Sequence, residues 1–494
     1  MSLLGLMQVH RSTGTERGAW GDMSNELTWM PAWQIRDLIE KGEVSCAEVT
    51  DHFLDRIEEF NPTVRAFEEL DVAGARRQAT ELDKAARSGD ELGPLHGIPT
   101  SVKSHIRVQG MRVAHGTSPE PSPFDDISVE RLRAAGAVIV GTNTMMGAGG
   151  GGVMDPDNPG VFRPFNWEAE ALNPWDTSRV PGWSSSGGAA AAVARLLPVT
   201  IGSDGGGSTR LPAAYSGVVG LHTTRGLIPH IDYQKPTMML TASYGPLARN
   251  VRDVALFTQV LGGPDGRDYV CLPNETPDCL VTLDDGVDGM RLAWTEDFGF
   301  ASRYATSGSD EIIAVAREAA RGLAGLGATV ETTDEVWEDR SPVETASWNA
   351  EPAVYEAMVG INLHPSPPPE FDGYKRQAES RARNWTRFRD FFRRYDVIMS
   401  VTAQRTAPTV EDWERGWTVD GPSFPGGSFA PVYCSHTMIF NWLGFPAVSV
   451  PCGFIDGLPV GLQIAGWPGR EDKVLRVAAA FQAAFPRPER PAVS

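Results

Sequence analysis

Gly202-Ser-Asp-Gly-Gly-Gly-Ser-Thr-Arg210 is the stretch on which the reading of this chain turns. It continues from the apolar run Val199 to Ser203, which follows Pro198 and reads as a buried strand. Consecutive glycines let successive backbone N–H groups point into one space, which suits either a tight turn or a cradle for developing negative charge. Upstream stands Pro181-Gly-Trp-Ser-Ser-Ser-Gly-Gly-Ala-Ala-Ala-Ala192. The Ala-rich stretch Gly188 to Leu197 predicts a helix, and the serines ahead of it either cap that helix or supply hydroxyls for chemistry. Further upstream, Gly97-Ile-Pro-Thr-Ser-Val-Lys103 reads as another buried strand, ending in a lysine. A charged lysine is costly to bury, so Lys103 must snorkel to water, pair with an acid or give up its proton.

Outward from these segments the pattern alternates between strand and helix. Ser45 and Glu48 have capping-box spacing, and Val49, Phe53, Ile57 and Phe60 then recur at helical intervals. Ala73 to Arg87 predicts a second helix, Ala137 to Thr142 a strand, Arg291 to Thr295 a strand and Asp310 to Leu326 a helix. Trp348 to Phe392 reads as mainly helical around the Pro365 to Pro369 cluster. Val397 to Val401, Ala447 to Val450 and Val460 to Ile464 read as strands, and Asp472 to Phe485 as a closing amphipathic helix. Gly147 to Glu170 and residues 264–289 are rich in Gly, Pro and Asp and read as irregular. This alternation predicts an α/β layer architecture.

The joint occurrence of these motifs resembles the amidase-signature family, whose pattern is a G-I-P-x-x-x-K strand, then G-G-S-S-G-G, then G-T-D-x-G-G-S-x-R. The resemblance continues through Asn173-Pro-Trp-Asp176, Gly217-Val-Val-Gly-Leu221, Gly245-Pro-Leu-Ala-Arg249, Asn441-Trp-Leu-Gly-Phe-Pro-Ala-Val-Ser-Val-Pro451 and Gly457-Leu-Pro-Val-Gly-Leu-Gln463. It implies a mixed central β-sheet covered on both faces by helices. It also implies a division into a flexible extension (1–26), a catalytic domain (27–486) and a C-terminal tail (487–494). Carried over residue by residue, it makes Ser208 the nucleophile, Ser185 the bridging serine and Lys103 the base. Gly205, Gly206 and Gly207, with the Ser208 N–H, become the oxyanion hole, and Asp204 and Arg210 hold the loop. Ser185 precedes Ser208 by 23 positions, one fewer than the family's usual spacing, and Ser184 by 24, so the bridging role lies between these two. The local motif favours Ser185.

Such a triad answers a definite problem, because a serine hydroxyl is a poor nucleophile near neutral pH. A desolvated lysine can be neutral there and accept a proton relayed from the nucleophile. The expected reaction is cleavage of an aryl or alkyl amide or a carbamate through an acyl-enzyme, with esterase or urethanase side activity. The alternative is glutamine hydrolysis, as in the glutamine-hydrolysing component of tRNA-dependent amidotransferases. That branch carries Lys-Pro-Thr-Tyr-Gly where His222-Thr-Thr-Arg-Gly226 stands here, and its acid for the substrate ammonium aligns with Cys434. Both differences argue against glutamine. The pocket is expected to draw on Met145, Met146, Gly149, Trp183, Tyr215, Cys434 and Ile439. Here Trp183 departs from the family's glycine, and Ser104 and His105 stand where Asp-Asn is common.

Other classes are weaker. Gly147 to Gly152 formally contains G-x-G-x-x-G after a strand, but Asp155, Pro156, Asp157 and Pro159 follow where a dinucleotide fold needs a helix. A non-catalytic binder would have no need of three filled triad positions. The nine histidines are scattered without a metal-binding motif, so no metal or cofactor is expected. No G-x-S-x-G elbow occurs. The net charge of −19 argues against nucleic acid, whose binding needs clustered Lys and Arg, and serves solubility or a mild preference for neutral or cationic substrates. Five cysteines without a C-x-x-C pair, no signal-peptide pattern and no run of ~20 apolar residues point to a cytoplasmic enzyme off the membrane. The expected partner is a small amide or carbamate; a homodimer is left open.

Overall fold

The computed structural model describes residues 26–113, 120–147, 165–231, 241–339, 371–416, 433–487 and 489–494. At its centre is one mixed sheet of eleven strands, ordered β1-β3-β2-β4-β6-β5-β10-β11-β9-β7-β8. The strands are β1 (Phe67–Leu70), β2 (Pro99–Lys103), β3 (Val138–Asn143), β4 (Val199–Asp204), β5 (Val219–His222), β6 (Ser243–Ala248), β7 (Arg291–Trp294), β8 (Thr329–Thr332), β9 (Val397–Val401), β10 (Ala447–Ile455) and β11 (Leu458–Ala465). β2 runs parallel to both β3 and β4, whereas β4–β6, β6–β5, β5–β10, β10–β11 and β11–β9 are antiparallel.

Every residue of β2, β3 and β4 is buried. Side chains alternate between the two faces of a strand, so complete burial means that both faces of the sheet are covered. Helices do this, among them Ser186–Val193, Arg210–Ser216, Ser309–Gly322 and Glu471–Ala484, each packed on central strands. The Ser45 capping box is present and starts the helix Cys46–Val64, as its spacing predicts. The helix expected over Asp310 to Leu326 divides: an α-helix spans Ser309–Gly322 and a 3-10 turn, Leu323–Leu326, follows. Gly322 and Gly325 weaken the last turns. In the stretch expected to be helical from Trp348, a helix spans Phe371–Phe391, and residues 340–370 lie outside the described part.

Four strands lack a strand-like pattern in the sequence. β1 reads Phe-Glu-Glu-Leu, β6 holds Gly245-Pro246, a turn signal, and β5 and β8 have only four residues each. Their pairing with neighbours already in the sheet, such as Ile201 opposite Pro246, makes them strands. Near the C-terminus, the Val493 N–H donates to the Pro174 carbonyl at 3.1 Å, so these last residues lie on the body of the protein.

Candidate active site

Lys103 ends β2, the strand between β3 and β4, and is only 2% exposed. Its ammonium group lies 2.7 Å from Ser184 Oγ, 3.0 Å from Ser203 Oγ and 3.4 Å from the Ser203 carbonyl. These partners are all neutral. Burial therefore pulls the Lys103 ammonium down to about 7, against an opposing pull from Asp204. The lysine that the sequence leaves to snorkel, pair or lose its proton stays buried among neutral partners, and its hold on the proton is weakened.

The three serines point to three different partners. Ser184 Oγ meets Lys103. Ser185 Oγ donates to the Ser203 carbonyl at 3.1 Å and accepts from the Ser203 N–H at 3.3 Å. Ser186 Oγ donates to the Thr144 carbonyl at 3.3 Å. This corrects the expectation for Ser185: its hydroxyl is engaged by the β4 backbone, and Ser184 is the serine that reaches the lysine. The physical reason is where the chain turns into the helix Ser186–Val193. Ser185 occupies the N-cap position but makes no side-chain cap bond, because its hydroxyl faces the strand instead. Ser184, one residue earlier and joined to Trp183 by a cis peptide bond, faces β2. The spacing of 24 positions to Ser208 was the signal that pointed to Ser184.

Ser208 is the only partly exposed residue between Gly202 and Arg210. Its carbonyl accepts the Ser185 N–H at 3.2 Å, which sets the glycine loop against the serine segment. Among the described residues, the N–H groups of Gly205, Gly206 and Ser208 have no hydrogen-bond partner. Gly207 differs from the expectation. Its N–H donates to Asp204 Oδ1 at 2.5 Å and is occupied in shaping the loop. Gly207 has φ +134, and a Cβ there would stand 2.5 Å from Thr437 Oγ1, so only glycine fits.

Asp204 is the hub beneath this loop. Besides Gly207, its carboxylate accepts from the Thr209 N–H and hydroxyl, from Arg210 Nε at 2.9 Å and Nη2 at 3.1 Å, and from Asn441 Nδ2 at 2.8 Å. Burial pushes this carboxyl up, but Arg210, His222 and the hydrogen bonds from Arg210 and Asn441 outweigh it and hold the group well below the usual carboxylate range. Arg210 also donates to Asn441 Oδ1, to the Thr437 carbonyl at 3.0 Å and to Gln463 Oε1 at 2.8 Å. The Thr437 hydroxyl donates to the Gly206 carbonyl at 2.6 Å. Asn441, Thr437 and Gln463 had no expected role. A signal for two of them was a polar residue inside an apolar run: Gln463 in the strand from Val460, and Asn441 ahead of Trp-Leu.

Of the expected pocket residues, Met146, Tyr215, Cys434 and Ile439 join one apolar cluster, with Trp183 packed against it. Met146 donates its N–H to the Ser184 carbonyl at 3.1 Å. Met145 is half-buried and not part of that cluster, and Gly149 lies outside the described residues. Trp183 meets Trp413 edge-on, ring centres 6.2 Å apart, and Trp413 lies 4.8 Å from Tyr433. Among the described residues no His, Cys, Asp and Glu side chains gather into a metal-binding group, and no helix is long and apolar enough to cross a membrane.

The amidase family model matches residues 48–343 and 344–475. The chain is 32% identical over 498 residues to a glutamyl-tRNA(Gln) amidotransferase subunit of Symbiobacterium thermophilum, covering 92% of this chain and 96% of the relative. It is 30% identical over 480 residues to an acylamidase of Rhodococcus erythropolis, covering 93% and 96%. Its fold is similar to the crystal structure of a bacterial aryl acylamidase of the amidase-signature family, with TM-score 0.75, 25% identity and coverage of 93% and 97%. A 6-aminohexanoate cyclic dimer hydrolase complexed with its substrate is similar to the same degree, with TM-score 0.75, 25% identity and coverage of 94% and 100%.

Proposed function

The chain belongs to the amidase family of carbon–nitrogen hydrolases, and from that premise we propose that it opens small aryl or alkyl amides, or carbamates, through an acyl-enzyme on Ser208, with Ser184 and Lys103 relaying the proton. The observation that carries this reading is the buried Lys103 amine, lowered to about 7 and 2.7 Å from a serine hydroxyl.

Neutral Lys103 accepts the Ser184 hydroxyl proton, Ser184 accepts that of Ser208, and Ser208 Oγ bonds to the substrate carbonyl carbon. The carbonyl π pair moves onto oxygen. The N–H groups of Gly205, Gly206 and Ser208 are the donors suited to that oxyanion, and each such donor is typically worth ~2.7–4 kcal/mol. As the C–N bond breaks, Ser184 returns a proton to the departing nitrogen and is itself reprotonated by Lys103. Water then releases the acid by the same relay in reverse. Asp204 and Arg210 keep the loop in shape and touch no reacting atom. A carbamate or ester follows the same path with a different leaving group. Cys434 offers no carboxylate for the ammonium of glutamine, which supports a hydrolase acting alone on small amides.

A panel of anilides, primary amides, carbamates and esters, read by product release, tests the substrate class. A phosphonate probe tests the nucleophile: a single adduct mapped to Ser208 by mass spectrometry is expected. An adduct elsewhere, or full activity in Ser208→Ala, would overturn the mechanism.

A further inference from the structure

The donors suited to an oxyanion lie along Gly205-Gly206-Gly207-Ser208, where three consecutive residues have no side chain to hold the backbone. They are held from behind instead. In a trans peptide the carbonyl and the next residue's N–H point in opposite directions, so pinning one aims the other. The Asp204 carbonyl accepts from Asn441 Nδ2 at 2.9 Å, which turns the Gly205 N–H the other way. The Gly207 carbonyl accepts from the Leu211 N–H at 2.7 Å, which does the same for the Ser208 N–H. Between these two lies the Gly206–Gly207 peptide, and it is held at both ends. Its carbonyl accepts from the Thr437 hydroxyl at 2.6 Å, and its N–H donates to Asp204 Oδ1 at 2.5 Å.

Thr437 is buried and occupies the N-cap position of the helix Met438–Leu443. A threonine there ordinarily gives its hydroxyl oxygen to a backbone N–H of the first turn. Thr437 makes no such bond. Its one hydroxyl proton has two carbonyls in range, Gly206 at 2.6 Å and Cys434 at 3.3 Å, and the shorter contact takes it. The residue itself is fixed. Its N–H donates to the Cys434 carbonyl at 3.1 Å, and its carbonyl accepts from Arg210 Nη1 at 3.0 Å. Asn441, one turn further along the same helix, supplies the other side-chain anchor. One short helix thus sits behind the glycine loop and holds two of the carbonyls that shape it.

We propose that Thr437 is a positioning residue for the reaction: its hydroxyl fixes the Gly206–Gly207 peptide, and with it the set of N–H groups that receives the oxyanion. This rests on the amidohydrolase reading above. Thr437 touches no reacting atom. Its effect is felt as negative charge develops on the substrate oxygen, because donors already in place need no reorganisation at that moment. Without the hydroxyl, one end of the peptide is loose and the Gly206 carbonyl is buried without its donor. Glycine then offers a wide choice of other dihedral angles. The expected signature is a loss in kcat with KM little changed, since the ground-state carbonyl leans on those donors far less than the oxyanion does.

The test compares Thr437→Ala, which deletes the hydroxyl, with Thr437→Ser, which keeps it. Rates are read on the fastest substrate of the panel above, and oxyanion binding on 2,2,2-trifluoroacetophenone. In that probe Ser208 Oγ bonds to the carbonyl carbon, the π pair moves onto oxygen, and the hydroxyl proton passes through Ser184 to Lys103. Removing one oxyanion donor outright costs about 10²–10³-fold in kcat, so loosening the donors should cost ~10–10²-fold in Thr437→Ala, with KM within ~3-fold. The inhibition constant of the ketone should weaken by a similar factor, and Thr437→Ser should recover most of both losses. A purely structural role gives a different pattern. A partly unfolded Thr437→Ala would lower kcat per mole of protein but leave the inhibition constant of the folded share unchanged. That pattern overturns the proposal, as does a Thr437→Ser as impaired as Thr437→Ala. Should Thr437→Ala not fold, Thr437→Val, which fills the space, takes its place. A parent protein that turns over nothing in the panel and does not bind the ketone overturns the amidohydrolase reading and this proposal with it. An active parent matched within ~3-fold by Thr437→Ala overturns this proposal alone.

Discussion

Lys103 and Arg210 are two buried basic side chains held by consecutive residues at the end of β4, and their surroundings are opposite in kind. Lys103 is held by Ser203, and Arg210 by the next residue, Asp204. Consecutive strand residues project to opposite faces, so the end of β4 presents a hydroxyl to one cation and a carboxylate to the other. Arg210 has that carboxylate, two side-chain amides and a backbone carbonyl around it. Lys103 has two hydroxyls and a carbonyl. Burial alone does not make a base. Burial without a partnering charge does, and the same burial with one makes a structural clamp.

The largest effect should come from taking away the unpaired cation. Lys103→Met is expected to lower kcat/KM by ~10²–10⁴-fold, the usual worth of a positioned general base, while the folded protein becomes more stable. The sign follows from the shift. The folded-state value, about 7, lies below the ordinary lysine value. Between these values the unfolded chain holds a proton that the folded chain releases, so stability rises with pH through that window and the penalty is fully present below about 7. Removing the amine removes that penalty, which at roughly 1.4 kcal/mol per unit should exceed 1 kcal/mol at pH 7. Urea unfolding checks it; a less stable Lys103→Met would show that Lys103 is a structural cation like Arg210.

Breaking the paired cation should act on the fold. Asp204→Asn leaves Arg210 buried without its counter-charge, which typically costs about 3–5 kcal/mol. A loss under ~1 kcal/mol in urea unfolding would dissolve the contrast. The serines sharpen it next. Ser184→Ala should cost at least ~10²-fold in kcat/KM by interrupting the relay. Ser185→Ala, which loses only a bond to the β4 backbone, should cost under ~10-fold and about 1 kcal/mol of stability. Equal losses would return the bridging role to dispute. The gentlest probe is pH: with chemistry limiting, kcat/KM should fall about tenfold per unit below about 7, as Lys103 becomes protonated, and level off above. A flat profile down to about pH 5 would contradict a lysine base.

The parts of the site that were legible in the sequence are those whose residue types are improbable in their setting. A lysine ending the apolar run from Gly97, three glycines after Asp204, and a serine and an arginine at set distances from it are each explicable alone, but not jointly. Legibility failed where neighbouring residues share a chemistry and differ only in direction. Ser184, Ser185 and Ser186 are identical side chains, and a rotation of the backbone between them decides which meets Lys103. It failed again at Gly207, where an N–H could face either a substrate oxygen or Asp204. For Asn441, Thr437 and Gln463 it failed because partners more than two hundred residues away in the chain give them their role.

The same holds across the fold. Short apolar runs such as Ala447 to Val450 and Val460 to Ile464 announce strands by themselves, because pattern and burial agree there. β1 and β6 do not, since Glu-Glu and Gly-Pro oppose a strand locally and only pairing within the sheet overrides them. The amino-acid sequence by itself determined the α/β class, the family, and the lysine and glycine segments of the site, because these depend on residue type and order along the chain. Tertiary structure alone decided which serine reaches the lysine, which backbone donors stay open and which buried cation gains a carboxylate partner. Those outcomes depend on direction and on distance through space, and on what lies at the end of each.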